Sequence, residues 1–167
     1  MTPNPSSAPA RHAHVRSAVL ADAEAIARLI NQAFVVERVA FDGDRTNPDE
    51  VRRLMIGGKF LLAEDGEGLA GCVYVEIRGE RSYLGLLSVS PDLQGKGLGR
   101  VLVNAAEDFS RSAGCRAIDL RTISPRAEAL VSFYRRLGYT ETGTAPFPPH
   151  VPVKVPCHYV LMSKSLD

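Results

Sequence analysis

The residues best placed for chemistry in this chain sit between positions 86 and 100. There the apolar run Leu86-Leu87-Ser88-Val89 meets a Ser90-Pro91-Asp92 turn, and Gln94-Gly95-Lys96-Gly97-Leu98-Gly99-Arg100 follows. Hydrophobic residues then recur at helical spacing, so the glycine loop opens directly into a helix. Free N–H groups of a first helical turn converge with the positive end of the helix dipole, which makes such a junction an anion site. Glycines at 95, 97 and 99 would let the backbone approach a pyrophosphate that a Cβ would hold off. Lys96 and Arg100 could add charge to the phosphates, or be solvated residues at a helix start. Two common phosphate motifs do not fit. The dinucleotide fingerprint GxGxxG, counted from Gly95, needs glycine where Arg100 stands, and no glycine is followed by the Lys-Ser or Lys-Thr of a P-loop.

The elements that must position this junction are legible as alternating periods. Residues 14–20 read as a strand, and Asp22 can cap a helix carrying Ile26, Leu29, Ile30 and Ala33 in phase. Residues 37–47 are polar and irregular around Asp42-Gly43-Asp44, and a short helix spans 48–56 with Pro48 in its first turn. Three strands follow as a meander over 60–64, 69–78 and 83–89, joined at Asp65-Gly66 and Gly79-Glu80. The helix after the glycine loop places Leu98, Val101, Leu102, Ala105 and Phe109 on one face and stops near Gly114. A strand over 116–122 leads to a helix that starts at Pro125, carries Ala127, Leu130, Val131, Tyr134 and Leu137, and ends at Gly138. Strands over 139–144 and 155–162 close the chain around a proline-rich loop, with Pro156 delaying regular pairing. The order β-α-α-β-β-β-α-β-α-β-β predicts an α/β (α+β) domain with a mixed sheet.

Composition excludes several classes. The 167 residues are 45% hydrophobic and 23% charged with a formal net charge of +1, ordinary for a single globular domain. Such a balance gives no field for nucleic acid or an anionic membrane, and Trp is absent. Residues 1–13, rich in Pro, Ser and Ala, read as a flexible tail with no apolar segment of a signal peptide or membrane span. Cys72, Cys115 and Cys157 are odd in number and lack metal spacing, so no metal site is expected and a reduced, cytoplasmic setting fits best.

Val89-Ser90-Pro91 followed by Gln94-Gly95-Lys96-Gly97-Leu98-Gly99 resembles the acetyl-CoA loop of the GNAT (Gcn5-related N-acetyltransferase) superfamily. Phe133-Tyr134-Arg135-Arg136-Leu137-Gly138-Tyr139 is similar to that family's second cofactor motif, at the expected separation. The resemblance covers residues 14–164. It implies the family's mixed, mostly antiparallel sheet of about six or seven strands flanked by about four helices. It also implies acetyl-CoA as co-substrate, held by Gln94, Gly95, Lys96, Gly97, Leu98, Gly99 and Arg100 around the pyrophosphate. Leu87, Ser88 and Val89 would hold the pantetheine arm through backbone groups, like an added strand. The family's usual asparagine seven residues before the tyrosine is Ala127 here, with Ser124 a candidate substitute. Dimers are common in such folds, but no interface signal singles out a homodimer surface.

Acyl transfer to an amine needs a base for an ammonium of pKa about 10.4 and an acid for a thiol of pKa about 8.5. Tyr134 matches the family's tyrosine acid, and it equally fits a core tyrosine in phase with Leu130 and Leu137. Glu76, on the strand before the cofactor strand, resembles the acidic residue that activates the amine in related enzymes; beside Arg78 it also reads as a solvated carboxylate. His158 on the last strand could face the acceptor or simply be packed, and His150 sits in the proline-rich loop. The resemblance places the acceptor, a small-molecule or peptide amine, between residues 35–47 and 145–156. Those stretches carry Glu37, Arg38, Asp42, Asp44 and Arg45 on one side and five prolines on the other. The expected activity is N-acetylation of a primary amine by direct transfer in a ternary complex. A CoA-binding sensor without turnover and a transferase for a longer acyl group are the alternatives.

Overall fold

The computed structural model describes residues 14–35, 43–124 and 127–167. The expected tail at 1–13, the acceptor-side residues Glu37, Arg38 and Asp42, and the helix start at Pro125 lie outside them. Among the described residues, seven strands form one sheet in the order β1-β2-β3-β4-β5-β7-β6. These are β1 His14–Ser17, β2 Lys59–Asp65, β3 Gly68–Arg78, β4 Arg81–Val89, β5 Ala117–Ile123, β6 Thr140–Pro146 and β7 His158–Ser165. Every neighbouring pair is antiparallel except β4 with β5. Four α-helices among the described residues cover it: α1 Ala23–Ala33, α2 Pro48–Gly57, α3 Leu98–Ser112 and α4 Ala127–Arg136.

The period-2 alternation of the strands divides the core into two layers. On one face Val73, Val75, Leu84, Ile118, Leu120, Val160 and Met162 pack with Leu102, Val103 and Ala106 of α3 and Val131 and Tyr134 of α4. On the other, Phe60, Leu62, Cys72 and Tyr74 pack with Ala23, Ile26, Ala27, Leu29 and Ile30 of α1 and Val51 of α2. Cys72 and Cys115 are both buried.

Local departures have identifiable causes. The first strand ends at Ser17 rather than residue 20, because Leu20–Asp22 winds into a 3-10 turn. Asp22 does not cap α1 with its side chain. Its carboxylate instead accepts the Val19 N–H at 2.7 Å and pairs with the Arg16 guanidinium at 2.9 Å, which also reaches Glu64. The buried stripe of α3 is rotated from the expected one: Val101 is 38% exposed, while Glu107 and Ser110 are buried. Both polar side chains are satisfied there. Glu107 accepts from Lys164 Nζ at 2.7 Å and from the Tyr139 hydroxyl at 3.2 Å, and Ser110 donates to the Ala106 carbonyl while meeting Ser82 at 2.7 Å.

Two irregularities open the sheet at its centre. β4 and β5 pair only from Arg81–Ala117 to Tyr83–Asp119, and past Tyr83 the strands diverge. In that unpaired stretch β4 carries a bulge against β3: Tyr74 faces Gly85 but Cys72 faces Ser88, and Leu86 has φ of 52°. A left-handed non-glycine residue inside a strand turns the adjacent peptide groups out of the ladder.

Candidate active site

The gap between β4 and β5 is the waist of a cleft of about 720 Å³ that reaches both faces of the sheet. Its α3 side is built from the glycine loop. Gly95 and Gly97 adopt φ of 78° and 85° with open space where a Cβ would stand, and Gly97 caps α3. The first turn of that helix has no acidic residue and no side-chain cap, so its N–H groups face the cleft mouth unneutralised. Gln94 steadies the loop by donating to the Val89 carbonyl at 3.3 Å. Gly99 also meets a packing demand: a Cβ there would lie 3.2 Å from Phe133 Cζ, so glycine helps seat α3 against α4.

Most of the expected cofactor residues line this cleft: Leu87, Val89, Gln94, Gly95, Gly97, Leu98, Gly99, Arg100 and Tyr134. Ser88 and Lys96 are not among them. The Ser88 side chain is buried and donates to the Leu86 carbonyl at 3.0 Å. Ser124 does not line the cleft either, and its N–H donates to the His158 carbonyl at 2.9 Å. Thr122 of β5 does line it, and its buried hydroxyl has no hydrogen-bond partner among the described residues. Nothing in the sequence marks Thr122, because a strand threonine reads as ordinary β propensity.

Tyr134 lies where α4 meets the gap, edge-on to Phe133 and Tyr139 with ring centroids 5.0 and 5.6 Å away. Its hydroxyl has no hydrogen bond among the described residues. Burial pushes the phenol well above the ordinary tyrosine range, with nearby Tyr83 adding to the shift, so the group stays protonated.

Across the gap, Glu76 lines the cleft and its carboxylate meets the Tyr74 hydroxyl at 3.1 Å and Arg78 at 3.4 Å. Burial first, and Glu76 second, push the Tyr74 phenol up to about 12, so it remains a hydrogen-bond donor. His158 opens β7 as an exposed residue outside the cleft lining, so the structure does not bring it to Glu76 and Tyr134. His150 is likewise outside. Of the two expected acceptor stretches, the first contributes Arg45, beside Phe34 at the end of α1. No residue of the proline-rich stretch lines the cleft; it adjoins the lining residue Tyr159 through Ala145, its partner in the β6–β7 register, and through Phe147, whose ring packs on it at 5.2 Å. No group of His, Cys, Asp and Glu side chains able to hold a metal occurs among the described residues, and no helix there is long and apolar enough to cross a membrane.

Solved structures define the class of fold. The yncA structure from Salmonella typhimurium, solved with its cofactor acetyl-CoA, matches with a TM-score of 0.73 at 24% identity over 93% of this chain and 94% of that one. The ribosomal-protein-S18-alanine N-acetyltransferase from Escherichia coli matches with a TM-score of 0.74 at 16% identity over 93% and 94%. By sequence, residues 24–139 match the acetyltransferase (GNAT) family model, and the chain belongs to that family. The L-amino acid N-acyltransferase MnaT of Escherichia coli K12 is 30% identical over 145 residues, covering 79% of this chain and 82% of that protein. A mycothiol acetyltransferase of Propionibacterium freudenreichii is 36% identical over 98 residues, 53% of this chain, and the match covers only 31% of that protein's length.

Proposed function

We propose that this protein transfers the acetyl group of acetyl-CoA to a primary amine by direct attack in a ternary complex. The observation that carries this reading is a single cleft containing the glycine loop, an unpartnered tyrosine hydroxyl and a carboxylate on the far side of a split sheet. The residues present fit the cofactor. Gly95 and Gly97 cradle an anion with open backbone, Arg100 adds charge, and the unpaired stretch Leu87–Val89 leaves peptide groups for an extended arm. Thr122 offers that arm one more hydrogen bond.

When bound, acetyl-CoA supplies an acyl group on a thiol leaving group. Glu76, on the opposite face, takes the proton from the acceptor ammonium, directly or through a water, and Tyr74 holds its carboxylate by a hydrogen bond. Tyr134 keeps its proton at neutral pH and donates it at its hydroxyl to the departing sulfur. The closeness of the two faces at the β4–β5 gap supports direct transfer, since both partners can meet there. None of the three cysteines lines the cleft, and burial pushes the Cys72 thiol up to about 12, unfit as a nucleophile.

The test is thiol release from acetyl-CoA across a panel of amines, with mass spectrometry of protein incubated with acetyl-CoA alone. Amine-dependent release without a covalent adduct supports the proposal. A stable acetyl-cysteine overturns direct transfer, and CoA binding without release for any amine overturns the enzyme.

A further inference from the structure

The acceptor side of the cleft carries more positive charge than an amine calls for. Glu76 and Tyr83 are register partners, and Tyr83 in turn faces Asp119 of β5. Because side chains alternate along a strand, Arg78 and Arg121, each two positions on, share that same face. Both line the cleft. Arg78 is tied to Glu76 and lies with its guanidinium carbon 4.5 Å from the Tyr83 ring centroid. Arg121 has no carboxylate partner among the described residues. It rests between two aromatic faces, 4.3 Å from the Tyr159 centroid and 5.8 Å from that of Tyr83.

This arrangement is built on both sides. Phe147 backs Tyr159. Tyr83 lies across Gly85, where a Cβ would come within 2.9 Å of its ring. Ring faces fix the plane of a guanidinium but satisfy none of its N–H donors, so the N–H edge of Arg121 is left for a planar anion. A carboxylate meets that edge with two parallel hydrogen bonds, which a single-point cation such as lysine cannot match.

We infer that the acceptor is a small α-amino acid, its free carboxylate held by Arg121 with Arg78 beside it and its amine turned to Glu76. This rests on the acetyl-transfer reading above. The cation and the base stand on one sheet face on either side of Tyr83, an arrangement that fits an amine and an anion carried by one small molecule. The same logic disfavours the N-terminus of a protein, which presents an amide where the carboxylate would be.

The test compares free L-amino acids with their amides and their decarboxylated amines, using acetyl-CoA and thiol release. The amino acids should exceed their amides in kcat/KM by ~100-fold, the scale of a charge-assisted bidentate contact. Arg121→Gln should bring that ratio close to one, mainly through the amino-acid KM, and Arg121→Lys should restore only part of it. A melting curve confirms that each variant is folded. If amino acids, amides and amines are used alike, or Arg121→Gln lowers all of them equally, carboxylate recognition is overturned while acetyl transfer stands. If no acceptor releases thiol, acetyl transfer fails, and calorimetric titration of the same amino acids into CoA-loaded protein decides the rest. Binding that Arg121→Gln abolishes supports the carboxylate site, and no binding overturns it.

Discussion

Tyr134→Phe separates the two roles open to this residue. The change removes one oxygen and leaves the ring, so the edge contacts with Phe133 and Tyr139 survive. The lost hydroxyl has no hydrogen-bond partner among the described residues, so folding forfeits nothing like the ~1 kcal/mol of an ordinary internal hydrogen bond. Stability should therefore move by less than ~0.5 kcal/mol, or about 2 °C in Tm. Turnover should respond quite differently. A positioned general acid contributes ~100-fold to 10,000-fold, and burial places Tyr134 toward the lower figure by making its phenol a weaker acid. The same dry surroundings also disfavour a free thiolate, which keeps the donation useful. A loss of ~100-fold in kcat corresponds to about 2.7 kcal/mol of barrier. Thiol-release kinetics at saturating acceptor, a CoA titration and a melt on the same preparations read all three quantities. The expected result is a ~100-fold fall in kcat with CoA affinity and Tm nearly unchanged. An unchanged kcat refutes the acid role, and a Tm loss that tracks the activity loss makes Tyr134 a packing residue. The raised pKa also fixes a sign. The phenol keeps its proton through mildly alkaline pH, so a kcat limb that falls below about pH 10 and vanishes in Tyr134→Phe would contradict its burial.

Three other outcomes follow from different parts of the molecule. Gly97→Ala forces an L residue to a φ of 85° in otherwise open space, costing ~1–2 kcal/mol of strain; CoA affinity should fall ~10-fold, measured by calorimetry. Lys164→Met leaves Glu107, whose side chain is 4% exposed, without its closest cation; with Lys164 itself 24% exposed, urea unfolding should show a loss of ~2–3 kcal/mol. Asp22 and Asp119 are held below the usual carboxylate range chiefly by hydrogen bonds from Arg16 and Arg81. A lowered folded pKa means stabilisation that is full above the unfolded value of about 3.9 and lost as pH falls through the folded one. Tm should therefore drop on acidification from pH 5 to pH 3, and Arg16→Met should flatten that slope.

The readable parts of the fold were those governed by local chemistry. The apolar run in 69–78, the glycine-spaced helix start and the proline at the head of α2 are each set by residue types over a few consecutive positions, so they stand out without tertiary help. The parts that were not legible were polar residues sheltered by distant partners. Glu107 and Ser110 look like a solvated helix face until Lys164, Tyr139 and Ser82 come to meet them. Gly99 carries a packing demand that its own segment does not show, because its contact with Phe133 spans two helices.

The site divides in the same way. The proposed cofactor end was legible in one segment, since close backbone approach to an anion needs glycines and a free helix start at consecutive positions. The proposed acceptor end rests on contacts that appear only on folding. The left-handed Leu86, the parting of β4 from β5 and the seating of Arg121 between Tyr83 and Tyr159 join residues from different strands. Such neighbours are set by register and packing, and neither is written in the spacing of any one segment.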